Sequence, residues 1–360
     1  MLRAKYNKFF PIPHFLSQPS FGLDISDQSI KFVEFLETHK GLRIGRFGER
    51  PIPVGVIESG KIIESKHLKE ILLLLKKEYG IKSVRVSLPE EQVYLFKLKI
   101  IKESTVDIRQ TIEFSLEEHV PIPPTDLVFD YEIFKEDEKN IEVEVTTAPK
   151  QIIESYLSIF RDCGLNVSSF ELEAQALARA VILDKDLDTY MIVDLGKQRT
   201  GISVVSNNIV IFTSTVDAGG VMLTNLIEKN FKISFLDAEN MKVKYGLSRS
   251  SGNQEVFSVL LNGVSIIRDE ISKHFLYWHT HKDEDGEVRP KIKKIILCGG
   301  DSNLIGFAEY LSISMKQNVE IANVWRNVIS PDEYIPEMSF QDSLSYATAI
   351  GLALRDLYYD

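Results

Sequence analysis

The segment Phe21-Gly-Leu-Asp-Ile-Ser-Asp-Gln-Ser-Ile-Lys-Phe-Val-Glu-Phe35 contains two short apolar runs separated by a few polar residues. This pattern predicts a buried strand over 21–25, a tight turn over 26–29 and a second strand over 30–36. We expect such a turn to leave backbone N–H groups without ladder partners, and successive N–H groups of that kind bind phosphate. Asp24 ends the first strand, where its carboxylate would hold the hydrated Mg²⁺ that accompanies a phosphate. The same pattern also fits ordinary turn chemistry, so the hairpin alone is a weak signal.

A second hairpin of the same kind is predicted from Tyr190-Met-Ile-Val-Asp-Leu-Gly-Lys-Gln-Arg-Thr-Gly-Ile-Ser-Val-Val205. An apolar strand again ends in an aspartate, Asp194, and the small residue Gly196 opens a polar turn. This duplication predicts two related lobes that close on one nucleotide, with Asp24 and Asp194 facing each other across it.

The composition is that of a folded protein with more than one domain. The chain has 360 residues, of which 44% are hydrophobic and 26% charged, as in ordinary globular proteins. A net charge of −10 argues against a general nucleic-acid-binding surface. The two cysteines, Cys163 and Cys298, suggest no disulfide framework and favour a reducing cytoplasm. We expect residues 1–19 to be a flexible N-terminal segment without the apolar core of a signal peptide.

Between the hairpins the periodicity predicts further helices and strands. A helix over His67–Tyr79 is expected to be capped by Ser65, and the residues from 83 to 147 read β-β-α-β-β, as a small inserted block. Later in the chain we expect a helix to begin at Asn303 and a C-terminal helix to run from Ser343 to Tyr358.

Two glycine pairs lie at predicted turns, in Cys298-Gly-Gly-Asp301 and in Asp217-Ala-Gly-Gly220. Paired glycines let a backbone approach a flat group such as adenine and aim a helix N-terminus at phosphate. A plain tight turn explains each of them equally well. Glu239 and Lys242 lie three residues apart on one helical face, which suits ribose hydroxyls and ring nitrogens or an ordinary surface ion pair.

The segment Gly55-Val-Ile-Glu-Ser-Gly-Lys-Ile62 is close to a P-loop, but we reject that interpretation. Ile62 stands where a P-loop has the Ser or Thr that binds Mg²⁺, and Glu58 would bring a negative charge into the phosphate site. A turn between β segments is the better prediction.

Taken together, these features resemble the actin/Hsp70/sugar-kinase ATPase superfamily, and within it the PilM family of type IV pilus assembly. The more specific motifs are Gly-Leu-Asp-Ile-x-x-x-Ser-Ile-Lys31, His119-Val-Pro-Ile-Pro123 before Asp130-Tyr131, and Phe170-Glu-Leu-Glu-Ala-Gln-Ala-Leu-Ala-Arg179. The resemblance covers the chain from residue 20 to its end. It also extends to the related division protein FtsA.

The resemblance implies an α/β, actin-like (ribonuclease H-like) fold with two lobes and a small inserted α+β subdomain of the 1C type. In this division, residues 20–82 with 148–186 and 335–360 form the first lobe (1A). Residues 83–147 form the inserted subdomain, and residues 187–334 form the second lobe (2A/2B). Residues 173–183 and 343–357 would be the two connecting helices.

The resemblance also implies ATP or ADP with Mg²⁺ in the cleft between the lobes. Asp24 and Asp194 would hold the hydrated metal, and Glu173 or Gln175 on the first connecting helix would orient a water. The implied nucleotide-binding residues are Asp24, Ser26, Asp27, Gln28, Ser29, Lys31, Asp194, Gly196, Lys197, Gln198, Thr200, Gly219, Gly220, Glu239, Lys242, Gly299, Gly300, Asp301 and Ser302.

One position departs from the family pattern, because Ser26 stands where Gly is usual and Asp27 follows it. An acidic Asp27 beside a triphosphate lowers affinity unless it faces away or helps to hold Mg²⁺. Lys197 and Arg199 in the opposite hairpin would compensate. We therefore predict nucleotide binding with at most slow hydrolysis.

The function implied is a cytoplasmic scaffold at the inner face of the cytoplasmic membrane, in the type IV pilus or a related secretion machinery. It would bind the N-terminal cytoplasmic tail of a PilN-like membrane protein through the inserted block, with Ile108–His119 as the candidate element, and would touch the membrane only through that partner. The prediction allows self-association and includes no nucleic acid. Two alternatives remain open: an FtsA-like, filament-forming division protein, and a small-molecule kinase of the same superfamily.

Overall fold

Two units divide the chain in the computed structural model, which describes residues 20–38, 41–102, 107–249, 252–282, 286–328 and 334–355. The first unit takes its described residues from 1–180, 328–337 and 348–360, and the second from 181–327 and 338–347. Residues 338–347, assigned to the first lobe by the predicted division, are thus in the second unit. The predicted N-terminal segment 1–19 and the last residues of the predicted C-terminal helix, 356–358, lie outside the described residues.

The helices and strands alternate along the chain. Up to residue 181 they are β1 (Phe21–Ile25), β2 (Ser29–Thr38), β3 (Gly41–Pro51), β4 (Ile57–Glu58), β5 (Lys61–Ile62), α1 (Ser65–Tyr79), β6 (Ser83–Leu88), β7 (Tyr94–Ile101), α2 (Ile108–His119), β8 (Leu127–Glu136), β9 (Asn140–Pro149), α3 (Lys150–Asp162), β10 (Asn166–Leu172) and α4 (Glu173–Val181). After it they are β11 (Thr189–Leu195), β12 (Thr200–Ser206), β13 (Ile209–Val216), α5 (Gly220–Phe231), α6 (Phe235–Tyr245), α7 (Gln254–Thr280), β14 (Lys294–Cys298), α8 (Phe307–Met315), β15 (Val319–Ile321), α9 (Phe340–Ser343) and α10 (Ala347–Leu354).

The two units contain five-stranded sheets built on the same plan. The first sheet has the order β10-β6-β1-β2-β3 and the second has the order β13-β12-β11-β14-β15. In each, an antiparallel three-strand meander pairs through its first strand with a parallel strand that follows later. The predicted duplication of two hairpins on related sheets is therefore confirmed.

The first sheet packs against helices whose apolar faces follow helical spacing. Leu68, Leu72 and Leu75 of α1 are buried against the sheet, as expected for an amphipathic helix. The helix ends at Gly80, which has a φ of 65°, a left-handed conformation that glycine adopts without a steric penalty. Its N-cap residue is Glu64 and makes no side-chain capping bond. The predicted cap at Ser65 is wrong, because Ser65 is the first helical residue.

The C-terminal helix begins later than predicted, at Ala347 instead of Ser343. The segment consists of α9, a 3₁₀ turn over Leu344–Tyr346, and then α10. Glycine is required where α10 packs closely in the first unit, because a Cβ on Gly22 would overlap the Ala349 carbonyl and one on Gly351 would overlap the Ala176 carbonyl. These two contacts fix α10 against β1 and α4.

A smaller sheet of order β7-β9-β8 belongs to the first unit. Its apolar face packs against Ile112 and Leu116 of α2. The strand Ser83–Leu88 pairs with β1 and β10 in the main sheet, so its predicted place in the inserted block is wrong. The block with its own sheet therefore begins at β7.

The second sheet is covered by α5, α7 and α8, whose buried residues include Leu223, Leu260 and Phe307. The predicted helix start at Asn303 is wrong. Residues Gly300–Asn303 form a 3₁₀ turn, and α8 begins only after Gly306, which has a φ of 78°. Within the described residues, none of the helices combines the length and hydropathy that crossing a bilayer requires.

Candidate functional site

Asp24 lies at the end of β1 in a strongly polar setting. It faces Lys31 across the hairpin register, and the Ser87 hydroxyl donates a hydrogen bond to its Oδ1 at 2.9 Å. Burial raises the pKa of Asp24, while the Lys31 charge and the Ser87 bond act against that rise. Asp24 is half-buried, and the Glu49 charge adds to the rise, so this carboxylate is suited to a further cation.

The turn of the first hairpin satisfies much of its own backbone. The Ser26 N–H donates to the Ser29 carbonyl at 3.0 Å, and the Ser29 N–H donates to Ser26 Oγ at 3.2 Å. Lys31 Nζ donates to Ser29 Oγ at 3.0 Å. The expectation that the turn N–H groups lack partners is therefore wrong for Ser26 and Ser29. Phosphate binding at this turn would have to use other groups or rearrange these bonds.

Asp27 is bound to a neighbouring loop. Its two carboxylate oxygens accept hydrogen bonds from the N–H groups of Ser59, at 3.1 Å, and Gly60, at 3.0 Å. These two residues form the two-residue turn between β4 and β5, with φ values of 49° and 72°. The rejected P-loop is thus a β-hairpin. The Gln28 carbonyl likewise accepts from the Ile52 N–H at 2.7 Å, so both residues hold adjacent backbone.

The second hairpin turn packs against the start of α5. The N–H groups of Gly220 and Val221 donate to the carbonyls of Gly196, at 3.0 Å, and Lys197, at 2.8 Å. A Cβ on Gly219 would lie 2.6 Å from the Gly196 carbonyl oxygen, which explains the glycine. Two N–H groups at the N-terminus of α5 therefore point to the hairpin turn. Thr200 Oγ1 donates to the Ala218 carbonyl at 2.6 Å and ties the same segments together.

Asp194 contacts the glycine pair that follows β14. The strands β11 and β14 run parallel, with Asp194 paired to Cys298. Gly299 has a φ of 87°, and a Cβ there would overlap Asp194 Oδ1. The close approach at Gly299 is therefore to the aspartate itself. Gly300 is more open, because a Cβ added there would have Ser345 Cβ as its nearest neighbour, at 3.4 Å. Ser302 Oγ donates to the Cys298 carbonyl.

A charge cluster centred on the buried Lys242 links α6 to the same turn. Lys242 Nζ lies 2.6 Å from Asp301 Oδ1 and 3.0 Å from Glu239 Oε2, and Thr224 Oγ1 donates to Glu239. Burial raises the pKa of Asp301, and the Lys242 ammonium opposes that rise. The predicted helical pair Glu239 and Lys242 is therefore an ion pair that also engages Asp301.

The two candidate catalytic residues lie at the start of α4. Gln175 Oε1 accepts from the Leu172 N–H at 3.4 Å, and its Nε2 lies 3.5 Å from Thr146 Oγ1 on β9. The amide thus bonds to the last residue of β10 and to the small sheet. Glu173 is close enough to Tyr156 that its charge helps burial to raise the pKa of that phenol. These contacts give Gln175 a structural role.

The structure brings most of the predicted residues of each half together. In the second unit the turn 196–200, the segment 219–220, the α6 pair and the turn 299–302 contact one another around Asp194, while the side chains of Lys197 and Gln198 are exposed. In the first unit Asp24, Ser26, Ser29 and Lys31 are neighbours, whereas Asp27 and Gln28 bind adjacent backbone.

Sequence reasoning missed Ser87 and Thr224. Ser87 could have been found in the sequence, because it is a polar residue near the end of the buried strand 83–88. No sequence pattern pointed to Thr224.

The second unit's residues fit a nucleotide. Asp194 and Cys298 end two neighbouring parallel strands, and the carboxyl ends of such strands are where α/β sheets bind ligands. Glycines at 219, 220 and 299 let the backbone lie directly against Gly196, Asp301 and Asp194, respectively, and these two carboxylates suit hydroxyl groups. Within the described residues, no group of three or more His, Cys, Asp or Glu side chains is arranged to hold a metal ion. A hydrated Mg²⁺ that keeps most of its waters needs only one or two carboxylates.

The sequence model of the family described as "Type IV pilus assembly protein PilM" matches residues 22–357 of this chain. The cell division protein FtsA of Enterococcus hirae is 26% identical over 267 residues, covering 65% of this chain and 60% of FtsA. The FtsA of Enterococcus faecalis is 31% identical over 116 residues, covering 31% of this chain and 26% of that protein. The chain therefore spans at most about three fifths of these two relatives.

Solved structures show the same fold. A chain of a PilM–PilN type IV pilus biogenesis complex superposes with a TM-score of 0.76 at 20% identity, covering 94% of this chain and 98% of that chain. MreB5 of Spiroplasma citri bound to ADP has a TM-score of 0.58 at 12% identity, covering 95% and 98%. The AMPPNP-bound form has a TM-score of 0.57 at 14% identity, covering 93% and 95%. The fold is thus actin-like, with two mixed five-stranded sheets.

Proposed function

Since the chain belongs to the family of the type IV pilus assembly protein PilM, we propose that it is an ATP- or ADP-binding scaffold of a type IV pilus or related secretion machinery. The observation that carries the nucleotide part is the cluster in the second unit. Four separate predicted segments meet around Asp194 at the carboxyl ends of β11 and β14. The ADP- and AMPPNP-bound MreB5 structures, which share the fold, support the same class of ligand.

The residues of each hairpin have distinct roles in this proposal. Each hairpin provides one carboxylate for a hydrated Mg²⁺, Asp24 in the first unit and Asp194 in the second, and the bound ion would neutralise phosphate charge. Lys31 and Lys197 provide positive charge for the phosphates, and Glu239 accepts hydrogen bonds from ribose hydroxyls. Asp27 holds the β4–β5 turn, so its charge is partly satisfied there and costs less nucleotide affinity than an unpaired carboxylate would.

Hydrolysis is at most slow in this proposal. Gln175 bonds to the Leu172 N–H and lies near Thr146, so it would have to leave these partners to orient a water. Glu173 remains the candidate for that task. A scaffold needs nucleotide occupancy rather than rapid turnover.

Calorimetric titration with ATP and Mg²⁺ tests the nucleotide claim. We expect saturable binding by the wild type. Asp194→Asn should bind ATP at least about tenfold more weakly, because one Mg²⁺-holding charge is lost. Asp269→Asn is the matched control, since Asp269 lies on α7 and pairs with Arg268. Absence of binding by the wild type would contradict the proposal.

The partner proposed is the N-terminal cytoplasmic tail of a PilN-like membrane protein. The similarity to a chain of the PilM–PilN complex supports this class of partner. On α2 the side chain of Phe114 is 76% exposed, and an exposed aromatic ring on a helix is a common anchor for a peptide. We therefore assign the tail to the block from β7 to β9. Such a partner would keep this protein in the cytoplasm at the inner face of the membrane.

Fluorescence anisotropy with labelled tail peptides of membrane proteins encoded nearby tests the partner claim. Phe114→Ser should weaken binding about tenfold or more, because an aromatic anchor is lost. Leu236→Ser is the matched control, since Leu236 is 70% exposed in the second unit. Equal losses in the two variants would remove α2 from the binding site.

An FtsA-like role is the second candidate, because the chain is similar to FtsA of Enterococcus hirae over 267 residues. That function would require filaments. Sedimentation of the protein with ATP and Mg²⁺ distinguishes the two proposals: long polymers would favour the FtsA-like role, and a protein that stays in the supernatant would favour the scaffold.

A further inference from the structure

The charge cluster around Lys242 has a consequence for which nucleotide the second unit prefers. We propose that the Asp301 carboxylate weakens the binding of nucleotide phosphates by holding the Lys242 ammonium and by adding negative charge beside the start of α5. The site then binds ADP at least as tightly as ATP. This inference rests on the proposed nucleotide-binding function and adds to it a preference for fewer phosphates.

Lys242 already has a full set of acceptors. Its Nζ donates to Asp301 Oδ1 at 2.6 Å and to the Gly220 carbonyl at 3.3 Å, and it pairs with Glu239 Oε2 at 3.0 Å. An ammonium has three protons, so these three oxygens match its donor capacity. The side chain is only 4% exposed. A phosphate oxygen can bind Lys242 only by replacing one of these partners.

Asp301 lies directly against the backbone at the start of α5. A Cβ on Gly220 would overlap its carboxyl carbon and both of its oxygens. The Asp301 side chain is 13% exposed, so solvent screens its charge only weakly. The pair Gly219 and Gly220 is predicted to aim the N-terminus of this helix at phosphate. The carboxylate therefore occupies the neighbourhood that a phosphate would approach.

The charges around Asp301 do not cancel. Two carboxylates, Asp301 and Glu239, share one ammonium, so these three groups carry a net negative charge. Lys197 is near enough to act on the pKa of Asp301 but is exposed, and Arg199 pairs with Asp217 at 3.4 Å. Each additional phosphate on a nucleotide brings further negative charge towards this cluster.

A purely structural role for the Lys242–Asp301 ion pair predicts a different effect of replacing Asp301. If Asp301 only holds α6 in place, then its replacement disturbs the site for all adenine nucleotides alike. If its charge acts on phosphates, then its replacement favours nucleotides in proportion to their phosphate number. When Asp301 becomes the isosteric Asn, Lys242 keeps Glu239 and the Gly220 carbonyl as partners. The fold of α6 is therefore retained, while the ammonium loses one of its two charged partners.

The experiment is calorimetric titration of the full chain with ATP, ADP and AMP at pH 8 and constant Mg²⁺, for wild type, Asp301→Asn and Asp269→Asn. We expect the wild type to bind ADP at least as tightly as ATP. Asp301→Asn should bind ATP about tenfold more tightly, with a smaller gain for ADP and little change for AMP. Asp269→Asn, which removes an exposed aspartate from the same unit, should behave as the wild type.

Three results would overturn the proposal. A wild type that binds ATP more tightly than ADP would do so without any variant. An Asp301→Asn protein would also do so if it lost affinity for all three nucleotides equally or if its affinities stayed unchanged. If neither protein binds any nucleotide, the proposed function itself fails. If Asp301→Asn does not fold, the wild-type comparison of ATP with ADP decides the question alone.

Discussion

Glu144 is a carboxyl group placed almost entirely out of water. It is 3% exposed on the central strand β9, and its Oε1 has no hydrogen-bond partner among the described residues. Lys97 and Glu132 face it across the register from β7 and β8, and Gln175 and Glu171 approach it from α4 and β10. Burial, followed by the charge of Glu132, raises its pKa to about 8. The neutral acid is therefore the stable form at neutral pH.

This residue predicts a pH dependence of stability. Between the ordinary value of 4.5 and about 8, the folded protein binds more protons than the unfolded chain, so the free energy of unfolding falls as pH rises. We expect the titration of Glu144 to lower the free energy of unfolding by up to about 4 kcal/mol from pH 5 to pH 9. In Glu144→Gln most of that slope should disappear.

Urea unfolding at several pH values measures the effect. Glu117→Gln is the matched control, because Glu117 lies exposed on α2 of the same block and should retain the wild-type slope. Identical slopes in wild type and Glu144→Gln would show that Glu144 does not titrate in this range.

At the scale of elements, the first unit depends on the close packing of α10 against β1. The backbone of α10 passes so near Gly22 that a Cβ would overlap the Ala349 carbonyl and lie 2.6 Å from the Ala353 nitrogen. Backbone atoms of a helix cannot move aside as a flexible side chain does. The contact therefore sets where the C-terminal helix sits in this unit.

Gly22→Ala should consequently destabilise the first unit by about 3 kcal/mol, because strand and helix must separate to admit one methyl group. Thermal unfolding followed by circular dichroism measures the loss. Gly300→Ala serves as the control, since its nearest neighbour would be Ser345 Cβ at an ordinary 3.4 Å, and we expect a change within about 0.5 kcal/mol. A Gly22→Ala protein as stable as the wild type would contradict the packing argument.

At the scale of the whole molecule, each unit repeats one plan. Both sheets carry a hairpin whose first strand has an aspartate as its penultimate residue, Asp24 in one and Asp194 in the other. Each unit also has its own apolar core. If a nucleotide uses both hairpins, its binding must be visible in both units.

Hydrogen exchange with and without saturating ATP and Mg²⁺ tests this. We expect protection at residues 24–31 of the first unit and at residues 194–200, 217–221 and 299–302 of the second. The strand β8 should exchange at an unchanged rate. At a ligand concentration about 100 times Kd, the folded protein should gain about 2.7 kcal/mol. Protection confined to one unit would contradict nucleotide binding by both hairpins.

Contiguous residues were enough to predict the two hairpins, their aspartates and the glycine turns. Alternating apolar residues and paired glycines report local backbone preferences, which neighbours in the chain express without help from elsewhere. On that basis the strands β1 and β11 and the duplicated architecture were correctly predicted.

Contacts between residues distant in the chain settled the rest. Folding pairs Asp27 with the 59–60 turn, joins Lys242 to Asp301, and places β6 in the main sheet. It also uses the N–H groups of Ser29, Gly220 and Val221 inside the protein. No local sequence pattern predicts these partners. A buried donor or charge is satisfied by whichever acceptor or opposite charge the packed chain places nearby.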